Sequence, residues 1–448
     1  MTSFIIILNK CPIYEVKDCV RQFNGTFVEI RENPTSDNQG IFLANSFDNG
    51  GERVHLIPSQ KIIVKLKNGQ NNNIIGKPAK VSLAAKIPEN RDSSFNYKNY
   101  LYSEKIFFCS DYCKIESIDA NTKRSYFLRH FSLSLKKKFL GKLKTLEANS
   151  FSDSIASDLT NGLLFGNSSN IDKTVVDEFR HNGTAHILAV SGLHIGIIYL
   201  IYKKLQNITS SNWVTIIFVP LLIFYGFLSN WSPSVIRAIF VVLMKLYSDL
   251  RNLYFDALTA LSTIFLIAII CNPYRILNVG FQMSFLAATL LTTLIPFIRK
   301  NNPYLPVNAI IAFFLPIILF PYMEHVFENS SFNGIIANPP VIFISGILVP
   351  LGLFIFMFFT ITNIVPRLSS LIYISLCRIL VKINSLIAEL LPYSFEISLA
   401  TASIVFFYGF LFYLTSETYF ILKKRKMHQV YIFPFLITLV CSFLLVSN

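Results

Sequence analysis

Acidic residues are scarce in the second part of this sequence. Of the 26 Asp and Glu residues in the 448-residue chain, 19 lie within residues 1–185, which leaves seven for residues 186–448. A soluble domain carries about a quarter charged residues, so an ordinary water-facing surface is excluded for this second part. The mean hydropathy is +0.49 and 52% of residues are hydrophobic. We therefore predict a polytopic α-helical membrane protein with an N-terminal soluble domain.

No targeting segment is predicted at the start of this sequence either. The start MTSFIIILNKC holds one apolar run, Phe4–Leu8, with no basic residue before it. A signal peptide has a basic beginning, and a spanning helix needs about 20 apolar residues. We expect neither at this start. The chain likewise lacks a metal motif, because His181, His186 and His194 have no carboxylate or cysteine at ligand spacing. We predict no metal and no cofactor.

Residues 11–118 alternate β-rich segments with turns, as in GTFVEIRENP and KIIVKLKNGQNNN. Their partial period-two alternation predicts about five strands, and five strands in this length favour a β-barrel of the OB type. We assign residues 1–118 to this OB-like external domain. Tyr97, Tyr100 and Phe107 are candidates either for base stacking or for core packing. Either a disulfide framework or free buried thiols account for the cysteines of this part, namely Cys11, Cys19, Cys109 and Cys113.

Residues 119–180 form a predicted basic, amphipathic helical connector. Apolar residues recur every four positions at Phe127, Phe131, Leu135, Phe139 and Leu143, and lysines crowd the other positions. This pattern predicts a helix that lies on a membrane surface or against the barrel. An ordinary packed helix with a solvated face is the alternative.

The remaining chain supplies several predicted membrane spans. They lie near residues 186–202, 212–229, 233–248, 256–271, 280–298, 306–323, 401–422 and 430–446. Residues 337–364 contain three prolines and predict a hairpin or re-entrant pair. With a hairpin there, most basic clusters fall on one side, which the positive-inside rule makes cytoplasmic. We therefore expect residues 1–185 to be extracytoplasmic, and the amphipathic residues 371–391 to lie at the outer interface.

Polar residues gather where the apolar part begins, in HNGTAHILAVSGLHIGIIYL, residues 181–200. If this stretch is one helix, His186, Ser191 and His194 face a common interior. Gly192 and Gly196 then predict the close approach of another helix. Three interpretations are open, namely polar contacts between helices, a transport path, and a Ser–His hydrolase.

Further polar side chains occur within apolar segments at Arg237, Gln282, Ser284 and Asn338. Polar groups in a bilayer face a partner or water, so these residues are candidates for a pathway. For Arg237, a side chain that reaches the membrane surface from a helix end is the alternative.

The motifs FRHNGTAHILAVSGLHIG, SPSVIRA and NVGFQMSFLA, in this order, resemble the competence domain of the ComEC family of inner-membrane DNA-uptake channels. The resemblance implies a transmembrane competence domain at residues 181–448 that imports single-stranded DNA during natural transformation. It also implies multi-pass insertion in the lipid bilayer of the bacterial cytoplasmic membrane. The partners it implies are DNA-receptor and cytoplasmic motor proteins and a second copy in a homodimer.

Many members of that family carry helices before the OB domain and a metallo-β-lactamase-like nuclease domain, and neither is matched here. We therefore expect a channel rather than an enzyme, with any nuclease on another protein. A permease for another anionic substrate and a membrane-embedded serine hydrolase are the alternatives. We assign the DNA pathway or gate to His186, Ser191, His194, Arg237, Gln282, Ser284 and Asn338. We assign helix packing to Gly183, Gly192, Gly196 and Gly280.

Overall fold

A computed structural model describes residues 13, 19–31, 38–49, 52–66, 74–90, 96–119, 126–150, 154–209, 213–301, 315–327, 333–391, 404 and 407–411. The strands are β1 Val20–Arg31, β2 Asn38–Asn49, β3 Glu52–Leu66, β4 Pro78–Ala84, β5 Ile106–Ser110 and β6 Cys113–Ile118. The first helices are α1 Tyr97–Ser103, α2 Phe127–Ser150, α3 Ile155–Phe165 and α4 Lys173–His181. They are followed by α5 Gly192–Thr209, α6 Trp213–Leu228, α7 Pro233–Arg251, α8 Ala257–Cys271, α9 Val279–Asn301, α10 Leu315–Phe327, α11 Asn333–Thr362 and α12 Arg367–Leu390. The described chain is thus an N-terminal mixed sheet followed by helices.

The six strands form one sheet in the order β5-β3-β2-β1-β4-β6. All neighbouring pairs are antiparallel except β3 and β5, which are parallel. Lys86, just after β4, and Cys109 in β5 exchange two backbone hydrogen bonds of 2.7 and 2.8 Å. This bridge joins β4 to β5, which are the end strands of the set β5-β3-β2-β1-β4. The sheet therefore curls into a partly closed barrel. The prediction of five strands was wrong by one, because β6 pairs with the free side of β4.

The interior of the sheet is filled by aromatic and branched side chains. Phe23, Phe27, Phe42 and Phe47 are buried, and their rings pack in pairs at 5.1 to 5.4 Å between centroids. Gly25 sits at a bulge of β1, where a Cβ atom would lie 2.1 Å from the carbonyl oxygen of Leu43. Only glycine permits this approach of two strands.

Among the described cysteines of the sheet domain, Cys19 and Cys113 are free thiols. Burial raises the pKa of the Cys113 thiol to about 12, so it stays protonated at neutral pH. Cys11 lies outside the described residues. Free thiols therefore hold for Cys19 and Cys113, although Cys19 is exposed rather than buried.

Helix α2 only partly follows its predicted apolar stripe. Phe139 and Leu143 are buried against α3 and α11, but Phe127 and Phe131 are exposed. At its C-terminal end the buried Glu147 accepts hydrogen bonds from the backbone N–H groups of Ala156 and Ser157 at 2.8 and 3.1 Å. The carboxylate thus satisfies two N–H groups that the first turn of α3 leaves without partners.

The predicted hairpin at residues 337–364 is wrong. The structure shows α11 as one helix of 30 residues that contains Pro339, Pro340 and Pro350. Each proline removes one backbone donor, but the buried face of α11, which includes Val341 and Leu348, packs along α12 and α3. This packing outweighs the lost hydrogen bonds.

The hairpin supplied two crossings to the charge count that placed residues 1–185, and two crossings by α11 and α12 would leave that count unchanged. The extracytoplasmic placement of residues 1–185 stays a prediction. Helices α11 and α12 are each long and apolar enough to cross a bilayer, and the described part of the chain has no other helix that meets both criteria. Helices α6 and α8 and residues 279–293 are apolar but shorter. The predicted span at 430–446 lies outside the described residues, as does most of 401–422.

The sheet domain is docked on the turn between α8 and α9. The Tyr274 ring enters the sheet core and packs at 5.5 and 5.8 Å from the Tyr102 and Phe107 rings. The side chains of Asn272 and Asn278 donate to the backbone oxygen and the hydroxyl of Ser103 at 2.7 and 3.0 Å. The polar residues of this turn therefore hold the two parts of the protein together.

Candidate functional site

The N-terminal ends of α5, α7 and α9, within their first two turns, meet below the docked sheet. Gly192 of α5 lies against Arg237 of α7. A Cβ atom added at Gly192 would lie 3.2 Å from Arg237 Nη2. Ser234 of α7 and Ser284 of α9 lie 3.0 Å apart through their hydroxyl oxygens. The N-terminal end of a helix carries partial positive charge, so this meeting point is electropositive even before Arg237 is counted.

The structure brings Ser191 and His194 together, as their spacing predicts. His194 Nδ1 accepts a hydrogen bond from the Ser191 backbone N–H at 3.2 Å and lies 3.1 Å from Ser191 Oγ. His194 is buried, and a backbone group of Leu163 in α3 faces its ring as well. The Ser191–His194 pair is thus enclosed by protein groups.

His186 does not join this pair. The stretch 181–200 is not one helix, because α4 ends at His181, a 3₁₀ turn covers Ala185–Leu188, and α5 begins only at Gly192. His186 is exposed, and its Nδ1 lies 3.3 Å from the carbonyl oxygen of Gly183. The predicted common interior was wrong for His186, since the left-handed Gly183 ends the helical run.

Arg237 lies in the second turn of α7 with no carboxylate beside its guanidinium among the described residues. Its carbon Cζ is 5.8 Å from the centroid of the Phe285 ring, and Nη1 is buried without a hydrogen-bond partner in the described chain. A buried cation is stable only if an anion, a dipole or water faces it. The role of Arg237 in a pathway stays a prediction.

Gln282 and Ser284 bind neighbouring protein groups. Gln282 Nε2 donates to the carbonyl oxygen of Ile276 at 2.5 Å, and the Tyr322 hydroxyl donates to Gln282 Oε1. Gln282 thus connects α9 to α10. These contacts are structural, and the pathway role of both residues stays a prediction.

Asn338 belongs to a second, separate polar group. It is buried in α11, and its Oδ1 has no partner among the described residues. Nearby, Asn182 Nδ2 donates to the backbone oxygen of Asn384 at 2.6 Å, and the Thr184 hydroxyl donates to Asn384 Oδ1 at 2.8 Å. Asn333 Nδ2 approaches Asn182 Oδ1 at 3.4 Å. The sequence analysis missed this amide cluster, whose members are dispersed along the chain.

Two of the four predicted packing glycines make a close approach to another element. Gly192 contacts α7. Gly183 has a φ of 64°, and a Cβ atom added there would lie 3.6 Å from Gly334 Cα. Gly196 faces open space within the described chain, and Gly280 meets only Asn278, two residues before it. The packing role of Gly196 stays a prediction. Gly352 was missed, although a Cβ there would lie 2.8 Å from a methyl group of Leu164.

No group of three or more His, Cys, Asp or Glu residues able to hold a metal ion occurs in the described ranges. The candidate site is instead a cation, a serine and a histidine where helix starts meet, in a bundle with an apolar exterior. This combination is typical of membrane proteins that handle a polar or anionic ligand.

Comparison with known proteins gives the family. The pattern of the Competence protein family matches residues 163–420, more than half of the chain and all of the site described above. The chain belongs to this family, which confirms the resemblance found in the sequence.

Three relatives match shorter parts. ComE operon protein 3 of Bacillus subtilis is 24% identical over 250 residues, which cover 54% of this chain and 31% of that protein. Recombination protein 2 of Haemophilus influenzae is 28% identical over 214 residues, or 43% of this chain and 27% of that protein. An uncharacterized protein of Aquifex aeolicus is 30% identical over 125 residues, or 28% of this chain and 30% of its own. The chain thus spans about a third of the length of these relatives. No solved structure matches it.

Proposed function

We propose that this chain forms a membrane channel that imports single-stranded DNA across the bacterial cytoplasmic membrane during natural transformation. Family membership supports the process, and the site supports an anionic cargo. The observation that carries the proposal is Arg237, whose Nη1 is buried without a partner where three helix starts meet. Such a position offers a passing phosphate a cation and helix dipoles at one point.

A multi-pass placement in the lipid bilayer is part of this proposal. Large apolar side chains are exposed on several helices, including Trp213 and Ile217 of α6, Ile270 of α8, and Phe343 and Ile361 of α11. Soluble proteins rarely expose apolar patches of this extent. At 30 residues, α11 is about 45 Å long, so it crosses a hydrocarbon core of about 30 Å with a tilt.

The sheet domain fits an OB-like role beside the channel, at residues 1–118, with the connector at 119–180 and the competence domain at 181–448. Its strand order and the β4–β5 bridge are those of a partly open five-stranded barrel with one added strand. The docking through Tyr274 holds this domain over the helix starts that form the site. Phe107 is buried beside Tyr274 and therefore serves the core rather than base stacking. DNA-receptor and motor proteins and a second copy of the chain complete the proposed assembly.

The test is uptake of labelled DNA into the cytoplasm of a deletion strain, with and without the restored gene. We expect DNA that has become resistant to added nuclease only in the restored strain. Normal uptake in the deletion strain would refute the proposal and would favour a permease for another anion.

A serine hydrolase is the second candidate, because Ser191 Oγ lies 3.1 Å from His194 Nδ1. In such an enzyme Nδ1 would take the serine proton. A fluorophosphonate probe that labels the wild type but not Ser191→Ala would favour this candidate. We expect no labelling, because the described residues include no carboxylate placed to orient His194.

A further inference from the structure

Helix α2 is fixed to two turns of the helical bundle. Arg129 Nη2 donates to Asn230 Oδ1 at 2.9 Å in the turn between α6 and α7. Lys142, about three and a half helical turns later, donates from Nζ to the carbonyl oxygen of Asn363, in the turn between α11 and α12. Each of these turns joins two neighbouring helices of the bundle.

In the membrane placement proposed above, on which this inference rests, both turns lie at a surface of the bilayer. A helix tied to both must run along that surface. This orientation explains why α2, which is strongly basic, has an exposed side that ordinary packing leaves uncovered.

The exposed side of α2 begins with apolar rings. Phe127 and Phe131 are 65% and 46% exposed and stack on each other at 6.2 Å between centroids. The Phe131 ring lies 6.1 Å from that of Phe224 in α6. Leu221 and Ile217, one and two turns before Phe224, are exposed as well. The rings of α2 therefore continue the apolar exterior of α6.

The same side then becomes basic. Lys138 follows Phe131 by seven residues and so lies on its face, while Lys137 and Lys144 share the flank. All three are exposed. The only acidic residue of α2, Glu147, is fully buried. The exposed side thus presents apolar rings beside three lysines, of which Lys144 has an acid nearby, Asp158 of α3.

We propose that this side of α2 binds the headgroups of anionic phospholipids, with the rings in the acyl boundary and the lysines at the phosphates. Rings at the interface and lysines at headgroup level are the arrangement expected of a helix in the interface plane. Nucleic acid is a poorer match, because the rings stack on each other and join the apolar exterior of α6, which leaves no separate platform for a base.

The test uses the full chain in phosphatidylcholine nanodiscs that contain a minority of phosphatidylglycerol. The measured quantity is the enrichment of phosphatidylglycerol around the protein. We expect K137Q/K138Q/K144Q to lower this enrichment about tenfold, since each surface lysine contributes to anionic lipid binding. The matched control is K86Q/K105Q/K114Q, which removes three exposed lysines of the sheet domain and should keep the enrichment.

Equal enrichment in both triple variants would overturn the proposal. So would retained enrichment with weaker binding of a single-stranded oligonucleotide in K137Q/K138Q/K144Q, which would assign the surface to nucleic acid. Extraction of the wild type from membranes by alkaline carbonate would refute the membrane placement itself. A wild type that resists extraction, together with unchanged enrichment in the α2 variant, would refute the lipid site alone.

Discussion

Arg237 is the residue whose position is least explained by folding alone. Its guanidinium has no carboxylate beside it among the described residues, and Nη1 is buried without a partner. Removal of a buried charge that lacks a partner tends to stabilise a protein, whereas removal of a ligand-binding charge abolishes function. A substitution there separates the two roles.

We expect Arg237→Met to leave the midpoint of thermal unfolding unchanged or higher and to reduce DNA uptake by at least about tenfold, since a charged hydrogen bond contributes about 1.5–3 kcal/mol. The measurements are thermal unfolding of the purified chain and uptake in the restored deletion strain at equal membrane levels. Lys204→Met, at an exposed position of α5, is the control and should preserve both. Uptake at the wild-type level in Arg237→Met would remove this residue from the pathway.

Tyr274 is a second single residue with a large structural role, because its ring completes the sheet core from the helical part of the chain. We expect Tyr274→Ala to destabilise the protein by about 3 kcal/mol, as truncation of a buried aromatic ring leaves a cavity. Thermal or denaturant unfolding measures the loss. Tyr254→Ala is the control, because that ring is 92% exposed. Equal effects of both changes would show that the docking contributes little.

At the level of elements, periodicity predicted most helices but not how they are used. Helices α5 to α10 overlap the predicted spans, because long apolar runs leave few alternatives. The prolines of α11 predict a break that does not occur, because packing along α12 and α3 is a tertiary effect that no local rule contains. The Ser191–His194 contact followed from i, i+3 spacing. The amide cluster and the Tyr274 docking did not, because they join residues distant in sequence.

The buried amine of Lys136 in α2 makes the stability of the protein depend on pH. Lys136 Nζ lies over the Phe165 ring at 5.0 Å. Burial lowers the pKa of Lys136 to about 8; nearby Glu29 opposes this shift and Arg129 adds to it. Below pH 8 the folded protein holds a charge that burial disfavours. Between pH 8 and the ordinary lysine pKa of 10.5, the folded state loses this proton before the unfolded state does, so stability rises with pH.

We therefore expect Lys136→Met to be more stable than the wild type at pH 7, and this advantage to shrink as the pH is raised to about 9.5. The measurement is the midpoint of thermal unfolding of both proteins across that range. Lys86→Met, at an exposed position of the sheet domain, is the control, and its unfolding midpoint should change with pH as that of the wild type does. Parallel curves for Lys136→Met would show that its amine is not desolvated.

For the whole molecule, the prediction to be tested is the side of the membrane on which the sheet domain lies. Two crossings by α11 and α12 in place of the predicted hairpin would keep the basic clusters on one side by count. The resemblance to the ComEC family still predicts an external sheet domain, and Cys19, an exposed free thiol beside β1, provides a natural probe. At the far end of α5, Lys204 is exposed, so a K204C substitution probes the other side.

We expect a membrane-impermeant maleimide to label Cys19 in intact spheroplasts and to label K204C only after lysis, in a background where the exposed Cys271 is replaced by Ser. Cys19→Ser should remove the first label, which separates it from Cys11. The physical reason is the course of α5, which begins beside the start of α7, below the docked sheet, and reaches the end of α7 at the Lys203–Asp249 ion pair. Cys19 and Lys204 therefore lie at opposite ends of the bundle. Labelling of K204C in intact spheroplasts with Cys19 protected would place the sheet domain in the cytoplasm, where it would receive DNA after transport rather than before it.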